Sequence, residues 1–136
     1  MRIFGLKPVA VLLAAVGTYA IGALIYGILF SQQWMQLAGY TEESFKGNEW
    51  RMALSPSMPI LITLGIGLLM KAQKTTGLVD GAKLGLLVGI FFLVPTRMYN
   101  FTYGIEPLAL LGLDGLHLLL NGLVAGSILG AMKAVD

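Results

Sequence analysis

Two runs of sequence decide the fold: GLVDGAKLGLLVG at residues 77–89 and GLVAGSILG at residues 122–130. In the first, Gly77, Gly81, Gly85 and Gly89 recur at every fourth position, and in the second Gly122, Gly126 and Gly130 do the same. Residues four apart share a helix face, and glycines on that face let a second helix approach to backbone contact. This is how helices commonly associate in a membrane, where apolar side chains gain little from leaving lipid. If the chain reverses at Gly104, Ile105, Glu106 and Pro107, Gly89 comes level with Gly122, Gly85 with Gly126 and Gly81 with Gly130. The same reversal sets Arg97 level with Asp114. The pattern predicts two antiparallel membrane helices with an ion pair in the outer half of the hairpin.

The rest of the chain agrees with a membrane setting. At 136 residues it has the length of one domain, spanning 1–136. With 57% hydrophobic residues, 12% charged residues and 18 glycines, it is too apolar for an ordinary soluble domain. The expected fold class is therefore all-α: an integral membrane four-helix bundle with a tightly packed, glycine-rich hairpin of its third and fourth helices. The formal net charge is only +2, and the basic residues lie at segment ends and form no stripe, so nucleic acid is not an expected partner. The chain has no cysteine, which excludes disulfides and thiolate metal sites.

At the amino terminus, Arg2 and Lys7 precede an apolar run that resembles a signal peptide. The run continues uncharged from Pro8 to Phe30, longer than a signal core and matched to a bilayer, so a retained helix over residues 7–30 is expected. Ala10, Ala14, Thr18 and Gly22 give it a small-residue ridge. Tyr26 and Trp34 suit an aromatic belt at the membrane boundary. A polar outer loop, residues 31–52, follows. Thr41 with Glu42 and Glu43 reads there as a helix start, and Trp34, Met35, Leu37, Phe45 and Trp50 offer apolar contacts for a short surface helix. The second span, 53–70, opens with Pro56 and Pro59, which predict an irregular first turn. The third, 77–101, carries a kink at Pro95, and the fourth covers 108–132. Arg2, Lys7, Lys71, Lys74, Lys83 and Lys133 fall on the side of both termini, against Lys46, Arg51 and Arg97 on the other. By the excess of basic residues inside, both termini are expected in the cytoplasm, with the protein in a bacterial inner membrane.

The residues most informative for function are polar ones within these spans. Asp114, His117 and Asn121 are three and four apart, on one face of an otherwise apolar helix. A carboxylate near a helix centre costs roughly 3 kcal/mol on insertion scales, so it needs a partner or water, and Arg97 is the expected partner. On an ideal helix that arginine lies about 80° around from the nearest seam glycine and must reach along the flank. Tyr26, Asn100, Tyr99, Thr102, Ser55 and Ser57 have matching depth, so Arg97, Asp114, His117, Asn121, Asn100 and Tyr26 are candidate binding residues of an outward-facing polar pocket. Two readings stay open. In one, the pocket binds or moves a small polar solute or ion; in the other, the polar residues only fix helix register in an accessory subunit of a larger membrane complex. One histidine and one aspartate on a single helix make an incomplete ligand set, so no metal is expected. No phosphate loop, nucleophile elbow or dinucleotide fingerprint is visible, so neither catalysis nor a cofactor is expected. The expected partners are the lipid bilayer and further copies of the chain, or a larger membrane complex.

Residues 22–30, Gly-Ala-Leu-Ile-Tyr-Gly-Ile-Leu-Phe, followed by Trp34 and Met35, resemble the end of the first helix in a family of bacterial membrane proteins catalogued as domain of unknown function 1761. Thr41, Glu42 and Glu43 are similar to another recurrent segment of that family. So are Asp114, Gly115, Leu116 and His117, with Gly126, Ile128, Leu129 and Gly130 downstream. The chain departs from the family pattern at Ile25, Ile28 and Leu116. The resemblance implies a four-helix membrane fold and carries no activity with it.

Overall fold

The computed structural model describes residues 1–135. Its helices are α1 (Pro8–Leu24), α2 (Ser31–Ala38), α3 (Ser57–Gln73), α4 (Leu78–Val88), α5 (Val94–Gly104) and α6 (Leu108–Ala131). A π-helical turn, Ile25–Leu29, extends α1, and a second, Gly89–Leu93, joins α4 to α5 in one continuous rod. Four helical stretches are long and apolar enough to cross a membrane: Pro8–Leu29, Glu49–Gln73, Leu78–Gly104 and Leu108–Ala131. Their outward surface carries Leu12, Val16, Leu61, Leu87, Phe91 and Phe92, a lining suited to hydrocarbon. The fold is an all-α bundle of membrane type.

The closest contact in the bundle is between α4 and α6. A methyl group built at Gly85 would run into the carbonyl of Gly122 and lie 3.2 Å from the Cα of Gly126, while one at Gly81 would meet the carbonyl of Gly126. The glycines interleave instead of standing level. Gly122 lies between Gly85 and Gly89, Gly126 between Gly81 and Gly85, and Gly130 between Gly77 and Gly81. The register is thus offset by half a repeat from the level pairing predicted, because a carbonyl on one helix fits best between two missing side chains on the other.

Helix ends follow local chemistry. Pro8 opens α1 in the first turn, where its missing N–H costs nothing. The start of α3 is later than expected, at Ser57 and not residue 53, because Pro56 and Pro59 break the backbone pattern there and residues Glu49–Leu54 wind instead as a 3-10 turn. Side chains reinforce this turn: Ser55 Oγ donates at 2.7 Å to Met52 O, which also accepts from Ser55 N at 3.1 Å, and Ser57 Oγ donates to Leu54 O at 2.6 Å. Gly39 ends α2 in the left-handed conformation, with Tyr40 N donating to Met35 O at 2.8 Å. Lys74 ends α3 similarly. Thr41 and Ser44 form a capping box that starts a short 3-10 turn over Glu42–Phe45, where the sequence shows a helix start.

The apolar core occupies the half of the bundle near the termini. Leu6, Ala10, Val11, Ala14, Ile66, Met70, Leu84, Ala125, Leu129, Ala134 and Val135 pack together there. Leu6 is fully buried and fills the space left by Gly67 on α3. It sits on a small hook in which Ile3 and Leu6 exchange backbone hydrogen bonds at 3.0 and 2.9 Å, and Lys71 Nζ donates to Phe4 O at 3.1 Å. Nothing in the apolar patterning of the sequence predicts this hook.

Backbone contact at the α4/α6 seam makes a sharp contrast between glycines. Gly85→Ala is expected to cost about 3 kcal/mol, the upper end for overpacking, since the atoms in its way are backbone. Gly65→Ala on α3, with nothing within 4 Å, is expected to be neutral or stabilising by up to about 1 kcal/mol. Unfolding of both variants in detergent micelles measures the difference, and equal behaviour would contradict the seam.

Candidate functional site

In the other half of the bundle the buried groups are polar. Asp114, one helical turn and a half into α6, is buried, and its two oxygens have separate partners. Arg97 Nε donates to Oδ2 at 2.6 Å, and Tyr26 OH donates to Oδ1 at 2.6 Å. The arginine also pairs through Nη2 with Glu106, in the turn before α6. One guanidinium therefore bridges two carboxylates, from helix and turn, while a tyrosine from α1's π turn holds the deeper carboxylate on its other oxygen.

The second π turn explains how Arg97 reaches this position. From Gly89 to Arg97 is eight residues, which on an ideal helix leaves the arginine about 80° off the seam. A π turn accommodates one extra residue, so the same eight residues turn as about seven would and end within roughly 20° of the seam. The arginine therefore points toward α6, and no reach along the flank is needed. The cause is Pro95, which has no N–H for the Phe91 carbonyl and whose ring crowds that carbonyl. The expected kink takes the form of this π turn.

Deeper in the same face, His117 Nε2 and Asn121 Nδ2 are 3.2 Å apart. With the amide donating, Nε2 is the acceptor and the imidazole hydrogen sits on Nδ1. Gly22 on α1 makes room for this ring, since a Cβ there would lie 3.1 Å from Nε2. The Tyr26 ring packs edge-on against His117 at a 4.9 Å centroid distance and against Trp34 at 5.5 Å. Trp34 continues to Tyr40 at 5.4 Å, and both meet Phe45. Polar and aromatic contacts thus run unbroken from the turn at Glu106 to Asn121. Two buried polar atoms along this path, Arg97 Nη1 and Asn121 Oδ1, have no protein partner.

A pocket of about 350 Å³ opens beside the ion pairs, at the end of the bundle opposite the termini. Arg97, Asp114, Glu106, Trp34, Tyr40 and Leu110 are among its lining residues. Of the six candidate residues, the structure brings five into one contact network: Arg97, Asp114, Tyr26, His117 and Asn121. Asn100 lies exposed on α5 and does not line the pocket, and the same holds for Tyr99 and Thr102. Ser55 and Ser57 serve the start of α3, and Ser55 also meets Tyr19 OH at 3.1 Å. Glu106, Trp34 and Tyr40 are the site residues that sequence reasoning missed. The available signal for Glu106 was its place in the turn between the helices that carry Arg97 and Asp114. Among the described residues no group of three or more His, Cys, Asp or Glu side chains is arranged to hold a metal ion.

The fold and this site define a small helical bundle of the integral membrane type, with a charged network buried between helices. A family model for proteins described as "Protein of unknown function (DUF1761)" matches residues 9–130. The chain belongs to that family. No curated protein and no solved structure matches it.

The network has unequal consequences for its members. Arg97→Leu leaves buried Asp114 without its cation and is expected to destabilise the protein by about 3–5 kcal/mol. Asp114→Leu is expected to cost less, because Arg97 keeps Glu106. The double variant Arg97→Leu/Asp114→Leu should recover most of the arginine variant's loss, since the carboxylate it leaves, Glu106, is the more exposed of the two. Unfolding midpoints of the three variants in detergent check that order.

Proposed function

We propose that the protein binds or moves a small polar solute or ion at the pocket beside Arg97, Glu106 and Asp114. The observation that carries this reading is a charged triad, held from three segments of the chain, at the wall of an open cavity. A pair that only fixed register would need neither the second carboxylate nor the adjoining space. Small-molecule sites begin at about 300 Å³, a size this cavity reaches, with a lining more polar than apolar that suits a polar occupant. The second cavity, about 340 Å³ beside Leu78, Leu86 and Leu123, is a shallow apolar groove and no path through the bundle, so a route across the membrane forms between copies of the chain, and the protein works as an oligomer.

We place the pocket on the outer face of a bacterial inner membrane, with both termini cytoplasmic, on the excess of lysine and arginine at the end that carries the termini. The chain has no cysteine, so single cysteines report topology cleanly. A membrane-impermeant maleimide applied to intact cells is expected to label Lys46→Cys and to spare Lys74→Cys; the reverse pattern would invert the topology.

A bound solute stabilises the folded state by about 2.7 kcal/mol at a hundred times its dissociation constant. Screening polar solutes by thermal shift on the purified protein is expected to find one whose stabilisation disappears in Trp34→Ala and Glu106→Gln. Stabilisation that persists in both variants would place the ligand elsewhere.

A further inference from the structure

The charge and surface of this pocket say more about its occupant. We infer that the site selects a small organic cation, an alkylammonium head group, over anions and neutral solutes. The inference rests on the pocket reading above and adds the class of ligand.

Arg97 is the one cation among the lining residues, and two of its three nitrogens already hold carboxylates. Nε is held by Asp114, Nη2 pairs with Glu106, and Nη1 is buried away from any incoming molecule. An anion entering the cavity would meet guanidinium nitrogens that either already face a carboxylate or are buried. The carboxylates retain unused acceptor capacity, because each ionised carboxylate offers about four lone-pair sites. Asp114 spends one on Tyr26 and one on Arg97, while Glu106 spends its contact on a single nitrogen. One guanidinium against two carboxylates leaves the cluster with a formal charge of −1.

The walls suit the same ligand. Trp34 and Tyr40 both line the cavity, in edge contact at 5.4 Å, so each offers ring surface to an occupant. A cation within about 6 Å of such a face gains roughly 0.5–2 kcal/mol, and alkylated ammonium groups are the ligands that aromatic cages recognise best, since their charge is spread over methyl groups that hydration holds weakly. The surroundings act in the same direction. Glu42, Glu43, Glu49, Glu106 and Asp114 at this end of the bundle outnumber Lys46, Arg51 and Arg97, and a cleft of one sign concentrates the opposite ion.

Three probes with the same branched head separate charge from shape: choline as cation, tert-butyl alcohol as neutral form and pivalate as anion. Full-length protein carrying Trp50→Phe in nanodiscs leaves Trp34 as its sole tryptophan reporter. Choline is expected to shift Trp34 emission saturably, with a dissociation constant at least ten-fold lower than that of either other probe. Glu106→Gln should weaken choline binding ten-fold or more, Glu106→Asp should restore part of it, and Tyr40→Leu should weaken it with all charges intact. Thermal shift with choline reports the same order without the fluorophore. Preference for pivalate or tert-butyl alcohol, itself lost on Tyr40→Leu, would overturn the cation assignment and leave the pocket reading standing. No saturable response to any of the three, and none in the wider solute screen, would overturn both.

Discussion

Two backbones in contact hold this molecule in order. Where α4 meets α6, carbonyl oxygens of one helix occupy the places that side chains of the other would fill, so small slides or rotations away from this register bring backbone into backbone. Leucine seams tolerate small slips because side chains can repack, whereas this seam has no side chains to adjust. The position so fixed is carried up the hairpin, through the π turn at Gly89–Leu93, to the level of Arg97 and Asp114. A buried guanidinium and carboxylate need short, directed contact to offset their desolvation, and a rigid seam supplies the alignment.

The bundle divides its interior by chemistry. Near the termini, small and aliphatic residues from α1, α3, α4 and α6 close around Leu6. Toward the opposite end the same helices diverge in composition. Tyr26, Arg97, Asp114, His117 and Asn121 take the interior positions, and α2 lays Trp34 over them. Both π turns lie beside this network, one presenting Tyr26 and the other orienting Arg97. Each loosens the helical repeat by one residue, which re-aims a side chain without adding a loop, and backbone polar groups stay paired as a membrane requires.

Much of this was legible in one dimension because membrane helices obey few rules. Uncharged runs gave the spans, the glycine spacing pointed to α4 and α6 as neighbours, and equal distance from the turn paired Arg97 with Asp114. The finer geometry was not legible for identifiable reasons. Proline at residue 95 announces a disturbed helix, but a kink and a π turn share that signature, and only the second rotates Arg97 onto the seam. Depth along a span put Asn100 beside the pocket, whereas its direction around the helix depends on the same rotation and leaves it outside. Glu106 read as a turn residue because its partner lies nine positions back in sequence and becomes adjacent only after the hairpin closes. The amino-terminal hook has no periodicity to find.

One bond at the apolar end has a topological meaning. The amide of Lys7 donates to the carbonyl of Ala134 at 3.1 Å, so the entry to the first helix and the exit from the last are neighbours in space. The four long helices form a closed circuit in which each is followed by an adjacent one, with no privileged starting point. A short peptide joining those two positions would make the backbone a ring, and opening it within the polar segment at Gly47 would give the same bundle in a rotated order of helices.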